Sequence, residues 1–148
     1  MLFAYNINKQ MRKLLLVLIF ITLTYSNLTY SQIKTQAEKN NDNAISSIVS
    51  GDYSNALEEI NSAIKIVPNN PNYFYVRGTA YQKLNELFKA LIDYKQALKL
   101  NPRHTDAILK CGIVYGKLNE KNKACEYFKL ACTYGEPEGC KVTSKFCN

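Results

Sequence analysis

The chain has 148 residues, 47% of them hydrophobic, which is enough for one folded domain with a buried core. Its formal net charge is +7, but three of its 19 basic residues precede residue 32, which leaves 16 basic and 12 acidic residues in the remainder. Because these charges are interspersed instead of forming one basic block, the sequence argues against a nucleic-acid partner.

Residues 1–31 are predicted to be a signal peptide whose core begins at Met11. Two basic residues follow Met11, then the apolar run Leu14–Leu23, then small polar residues. We expect cleavage after Ser31, with cleavage after Ser26 as the second choice. The chain is therefore predicted to be exported, to the periplasm or as a secreted protein, with no membrane span once the leader is removed.

An uncleaved membrane anchor is the alternative interpretation of this leader. A membrane span needs about 20 apolar residues, whereas six of the ten residues from Thr22 to Ser31 are Thr, Ser or Asn. The apolar run ends too early for a typical span, so a signal peptide is preferred. Residues 32–36 are predicted to be a short linker to the folded domain.

The rest of the chain repeats at an interval of 34 residues. The residues that recur are Ala56, Ala90 and Ala124; Ala63, Ala97 and Ala131; Pro68 and Pro102; Gly78 and Gly112; Tyr81 and Tyr115. Each repeat is interpreted as two antiparallel helices, and Gly78 and Ala90 are expected where the paired helices approach closely. A larger side chain at either place would force the helices apart.

The pattern predicts helices separated by short turns. The predicted helices cover residues 36–50, 54–66, 72–84, 88–100, 105–118, 121–134 and 137–146. Gly51, Asn85 and Asn119 mark the turns inside the pairs. Pro102 cannot continue a helix interior, and Pro137 suits the first turn of the last helix.

Seven residues of the middle repeat resemble the tetratricopeptide repeat: Phe74, Gly78, Tyr81, Ala90, Tyr94, Ala97 and Pro102. The resemblance implies an all-α fold, a short right-handed α-solenoid of three helix pairs plus a C-terminal capping helix. The domain would cover residues 37–148, with units at 37–70, 71–104 and 105–138 and the cap at 137–148. The first helix of the first unit departs from the pattern, as expected for a terminal repeat.

In this family the first helices of successive units line a concave groove, so the resemblance implies a partner-binding surface there. The groove positions are Asn41, Ile45, Tyr75, Thr79, Gln82, Lys83, Leu109, Ile113 and Lys117. Tyr75, Leu109 and Ile113 are the expected apolar anchors for a peptide or helix of another protein. The alternative is that some of these side chains only pack against neighbouring helices.

The carboxylate clamp that some family members use for chaperone tails is not expected here. That clamp uses Lys and Asn in the first unit, Asn in the second, and Lys and Arg in the third. The corresponding residues are Asn41, Ile45, Val76, Asp106 and Lys110, and almost none of them fits.

Two pairs of cysteines are symmetric about residue 136, where a turn is predicted. An antiparallel hairpin there would place Cys132 opposite Cys140 and Cys125 opposite Cys147. The spacing of Cys132 and Cys140 also resembles cysteine-rich Sel1-like repeats, which implies a disulfide between them. Buried free thiols, a zinc site and a redox-active pair are the alternatives. Cys111 is predicted to be a buried free thiol.

No motif indicates an enzyme, a metal site or a cofactor. The single histidine, His104, lies in a polar turn and is predicted to be a surface residue. The predicted function is therefore non-catalytic binding of another protein. The alternatives are a Sel1-like, cell-wall-associated enzyme or binding protein, and a small helper that stabilises a larger complex.

Overall fold

The computed structural model describes residues 2–147, and within that range it describes the side chains except those of residues 2–10 and 27. The helices of the described residues are α1 Leu2–Ser50, α2 Tyr53–Ile66, α3 Pro71–Lys83, α4 Leu87–Leu100, α5 Thr105–Lys117, α6 Lys121–Thr133 and α7 Pro137–Phe146. The residues fall into two compact parts: a leader segment that ends at Gln36 and a repeat domain that begins at Ala37.

The observed helices begin and end within one residue of the predicted ones, except at the start of α1. α1 begins at Leu2, so the predicted linker 32–36 is helical and so is the described part of the leader. The cause is local, because this segment contains no Gly or Pro. Its hydroxyl groups also bond back to the helix: Thr22 donates to the Ile19 carbonyl at 2.8 Å.

The leader segment leaves its apolar run exposed. Phe20 is 70% exposed and Leu16 is 65% exposed. By length and composition alone, the helical stretch Met11–Ser50 could cross a membrane. A signal sequence satisfies the same criterion, so the leader segment is compatible with both interpretations, a signal peptide and a membrane anchor.

In the repeat domain, the helices pack as consecutive hairpins. α3 packs on α4, α5 on α6 and α6 on α7, while contacts of α2 with α3 and of α4 with α5 join one pair to the next. Asn85 (φ 62°) and Asn119 (φ 60°) form the turns inside two of the pairs. Asparagine adopts this left-handed conformation more readily than most residues, which confirms both as turn residues.

Gly78 lies against the second helix of its pair, as predicted. A Cβ added to Gly78 would lie 2.8 Å from Tyr94 Cε1 and 3.2 Å from the Ala90 carbonyl oxygen. Gly112 has the same relation to Phe128, whose Cδ1 would lie 2.6 Å from an added Cβ. In both pairs, an aromatic ring occupies the space that a side chain on the glycine would need.

One polar network joins α2, α3 and α4. Arg77 donates from Nε and Nη2 to the two carboxylate oxygens of Asp93, at 2.8 and 2.7 Å, and from Nη1 to Asn61 Oδ1 at 2.8 Å. The Asp93 side chain is only 4% exposed. Hydrogen bonding to Asp93 raises the pKa of Arg77, so the guanidinium stays charged.

His104 is buried, and the prediction that it is a surface residue is wrong. It is 9% exposed and caps the start of α5, where its Nδ1 accepts from the Ala107 amide at 3.4 Å. Its Nε2 lies 3.1 Å from Asn72 Oδ1, and its ring centroid lies 5.1 Å from that of Tyr75. His104 therefore connects the first helices of two successive units.

Candidate interaction surface

The predicted groove positions lie on residues 41–45 of α1, on α3 and on α5. Most of these side chains are at least partly accessible to solvent. Ile45, Lys83 and Lys117 are exposed, and Asn41, Tyr75, Thr79, Gln82 and Ile113 are partly buried.

Leu109 differs from the other groove positions. It is 5% exposed and belongs to a hydrophobic core with Tyr94 and Phe128. A side chain this well covered offers little area to a partner, so it does not serve as an exposed anchor. Leu109 instead packs against neighbouring helices, which is the alternative that the sequence analysis left open for the groove positions.

Tyr75 is a predicted groove residue that also takes part in the contact between successive repeats. Its ring centroid lies 5.9 Å from that of Tyr94 and 5.1 Å from that of His104. Burial raises the pKa of Tyr75, with a further contribution from Asp106, so its hydroxyl stays protonated. The ring is partly accessible, but truncating it would also remove packing between α3 and α5.

We call the places held by Thr79, Gln82 and Tyr94, and their equivalents in the other units, the groove floor. In the second unit the floor is polar. Tyr94 donates its hydroxyl to Gln82 Oε1 at 2.7 Å, and Thr79 Oγ1 lies 3.4 Å from the same hydroxyl. The Tyr94 side chain is fully buried, and this burial raises the pKa of its hydroxyl strongly. The hydroxyl therefore remains a donor that fixes the Gln82 side chain.

In the flanking units the groove floor is apolar. The equivalent residues are Ile45, Ile48 and Ile60 in the first unit and Ile113, Gly116 and Phe128 in the third. Ile60 and Phe128 are buried, as Tyr94 is, so the apolar side chains that a ligand can reach are Ile45, Ile48 and Ile113. Phe146 of α7 joins the floor of the third unit: its ring centroid lies 6.0 Å from that of Phe128, and its Cζ would lie 3.9 Å from a Cβ on Gly116. Sequence reasoning missed Phe146, although the glycine at position 116 leaves room for it.

The structure joins Cys125 to Cys147 and Cys132 to Cys140, the two pairs that the sequence symmetry places opposite each other. The Cα–Cα distances are 5.5 and 4.5 Å, within the range that a disulfide spans. Gly139 permits this approach, because a Cβ there would lie 2.9 Å from the backbone nitrogen of Cys132. α7 is thus linked to α6 near both of its ends.

Cys111 is a buried free thiol, as predicted. It is fully covered in the same hydrophobic core as Tyr94. Burial raises its pKa to about 12, so it remains a neutral thiol at physiological pH. A neutral, inaccessible thiol acts here as a small apolar side chain.

Among residues 2–147, no group of three or more His, Cys, Asp and Glu side chains could hold a metal ion. The single histidine is engaged as a helix cap. The predicted groove positions combine apolar, hydrogen-bonding and charged side chains.

An exposed apolar pair on α4 was not anticipated. Phe88 is 72% exposed and Ile92 is 68% exposed. The equivalent residues of the other units are polar: Ser54, Glu58, Asn122 and Glu126. This pair lies on a second helix of a unit, away from the predicted groove positions, and provides a control surface for experiments on the groove.

Two family models match the chain. One, described as a TPR repeat, matches residues 50–85, and the other, described as a tetratricopeptide repeat, matches residues 71–104. Neither extends into the cysteine-rich segment, so the Sel1-like resemblance of that segment stays a prediction. A comparison with curated proteins gives no match.

Solved structures match the fold over most of the chain. The Arabidopsis OM64 TPR domain has a TM-score of 0.72 at 20% identity, covering 76% of this chain and 94% of that one. The first TPR of Spaghetti (RPAP3), bound to the HSP90 peptide SRMEEVD, has a TM-score of 0.73 at 20% identity, covering 77% and 92%. The second TPR domain of human RPAP3, in complex with the HSP70 peptide SGPTIEEVD, has a TM-score of 0.71 at 23% identity, covering 78% and 98%. Residues 50–104 thus carry tetratricopeptide repeats, and the chain has the fold of TPR domains, an α-solenoid of three helix pairs with a capping helix.

Proposed function

We propose that this protein is a non-catalytic interaction module that binds a peptide or helix of another protein in the groove of its first helices. The groove floor carries the proposal. Its apolar places in the first and third units flank the hydrogen-bonded place at Gln82. Such a surface can bury two apolar side chains of a ligand and satisfy polar groups between them. TPR domains of similar fold that bind peptides support a protein partner.

The proposed ligand differs from the chaperone tails bound by those related domains. Of the residues at the clamp places, Val76 is 6% exposed and cannot act as the Asn of the second unit. Asp106 stands where a lysine is required and would repel a carboxylate. The proposed partner segment is therefore not held through this clamp.

Export of the chain is part of the proposal. The exposed apolar run Leu14–Leu23 suits a signal peptide. The pairing of Cys125 with Cys147 and of Cys132 with Cys140 supports the same compartment, because disulfides persist where conditions are oxidising.

Affinity capture from the cell envelope with matched variants tests the groove. Ile45→Glu places a carboxylate in the apolar floor of the first unit, and we expect about tenfold weaker capture of the main partner. Ile92→Glu makes the same change on α4, where Ile92 is 68% exposed, and capture should be unchanged. Equal capture by both variants, or equal loss in both, would show that the groove is not the binding surface. Turnover of purified cell-wall substrates would contradict the non-catalytic assignment.

A further inference from the structure

Two lysines hold the same place at the ends of successive first helices. Lys83 is in the last turn of α3 and Lys117, 34 residues later, is in the last turn of α5. Both are exposed, and among the described residues neither has an acidic side chain within 4.0 Å. By contrast, Lys89 at the start of α4 forms an ion pair with Glu86. We call Lys83 and Lys117 the basic rim.

The other end of the groove carries the opposite charge. Asp106 is in the first turn of α5, and Glu38, 68 residues earlier on α1, holds the equivalent place in the first repeat; both are exposed. Because the first helices of stacked repeats run in the same direction, their starts share one rim and their ends share the other. The groove is therefore polarised across its width, from Glu38 and Asp106 over the apolar floor to the basic rim.

This polarity selects the kind of ligand. A nucleic acid or another uniform polyanion that filled the groove would lie against Asp106 as well as the lysines, and repulsion would offset part of the attraction. A peptide can carry acidic side chains on one edge only. Its apolar side chains can enter the floor at Ile45, which is 43% exposed, and at Ile113, which is partly buried.

Building on the proposed function, we infer that the bound segment is acidic as well as apolar. Its apolar side chains occupy the floor of the first and third units. Its carboxylates lie beside Lys83 and Lys117. The polar place between them, with Gln82 held by the Tyr94 hydroxyl, faces the backbone of the ligand. Charge at an accessible rim adds specificity and speeds association more than it adds affinity.

A set of three fluorescent peptides tests this inference with the full chain in a neutral detergent. The peptides share the same leucine positions, and their remaining residues are all Glu, all Gln or all Lys. In fluorescence anisotropy we expect the Glu peptide to bind about tenfold more tightly than the Gln peptide, with the Lys peptide weakest. Because exposed charges are screened, this preference should decrease as salt is raised.

Charge reversal at the basic rim provides the decisive comparison. Lys83→Glu combined with Lys117→Glu should make the Lys peptide bind more tightly than the Glu peptide. The control, Lys99→Glu with Lys129→Glu, reverses two exposed lysines on α4 and α6 and should keep the original order. The inference is overturned if the rim variant keeps its preference for Glu, even with a lowered thermal midpoint, or if the control variant also loses it.

Two further results would contradict the inference. One is a single-stranded oligonucleotide that displaces the Glu peptide and binds as tightly as it does. The other is the absence of binding by all three peptides while Ile45→Glu still weakens partner capture. In that second case the proposed function stands and only the chemistry assigned to the ligand is wrong.

Discussion

His104 caps α5 with its imidazole, a role that requires the neutral ring. Nδ1 accepts from the Ala107 amide, so the proton is on Nε2, which donates to Asn72 Oδ1 at 3.1 Å. Burial lowers the pKa of His104 from 6.5, although the nearby Asp106 raises it in part. Protonation would remove the acceptor that satisfies the first turn of α5.

The stability of the protein should therefore decrease in mildly acidic solution. Because the folded pKa of His104 is below the unfolded value of 6.5, its contribution is complete above that pH and is lost as the pH falls toward the folded pKa. The contribution is that of one helix cap, about 1 kcal/mol. In urea unfolding, His104→Asn keeps a capping oxygen without a titrating group and should lose less stability between neutral and acidic pH. Identical pH dependence in both proteins would contradict this role.

Single residues were predictable where their neighbours are fixed by the repeat. Gly78 is against its partner helix because the tetratricopeptide pattern pairs the glycine with the aromatic residue at Tyr94. His104 was not predictable, since its partner Asn72 lies 32 residues away and its polar turn resembles a surface loop. The burial of Leu109 was not predictable either, because leucine fits both core positions and groove positions of a first helix.

α7 is a helix whose attachment depends on covalent links. It has ten residues, of which Gly139 is buried, so it contributes little hydrophobic area to the fold. The bonds Cys125–Cys147 and Cys132–Cys140 hold it against α6. The first of these bonds closes a segment of 22 residues and the second one of 8, and closing each loop restricts the unfolded chain.

Reduction should therefore destabilise the folded domain. We expect each bond to contribute about 2–4 kcal/mol to the free energy of unfolding, measured by urea unfolding with and without a thiol reductant. Cys111→Ala is the control, because Cys111 is unpaired and the variant should respond to reductant as the wild type does. A thiol titration of the denatured, unreduced protein should find one reactive thiol. Five reactive thiols would refute the two bonds.

On the scale of the whole molecule, the helices were predictable and the leader was only partly so. A fixed interval of 34 residues, with Pro and Asn at the turns, locates α2 to α7 within one residue. The start of α1 was not predictable, because Thr and Ser at residues 22–35 indicate an irregular segment by composition. Their hydroxyl groups instead bond to the helix itself, as Thr35 does to the Ser31 carbonyl at 2.9 Å.

We predict that export of the chain depends on the apolar run of its leader. The run Leu14–Leu23 is exposed and apolar, and an arginine within it should oppose membrane insertion by about 3 kcal/mol. We expect Leu18→Arg to keep the chain in the cytoplasm with all five cysteines reduced, whereas the wild type should leave it, begin at Gln32 and contain two disulfides. N-terminal sequencing and thiol titration of cell fractions measure both. Ile92→Arg, an equal change at an exposed place on α4, should be exported normally. A wild-type chain that retains residues 11–31 in the membrane would instead identify the leader as an anchor, and the groove would then act at a membrane surface.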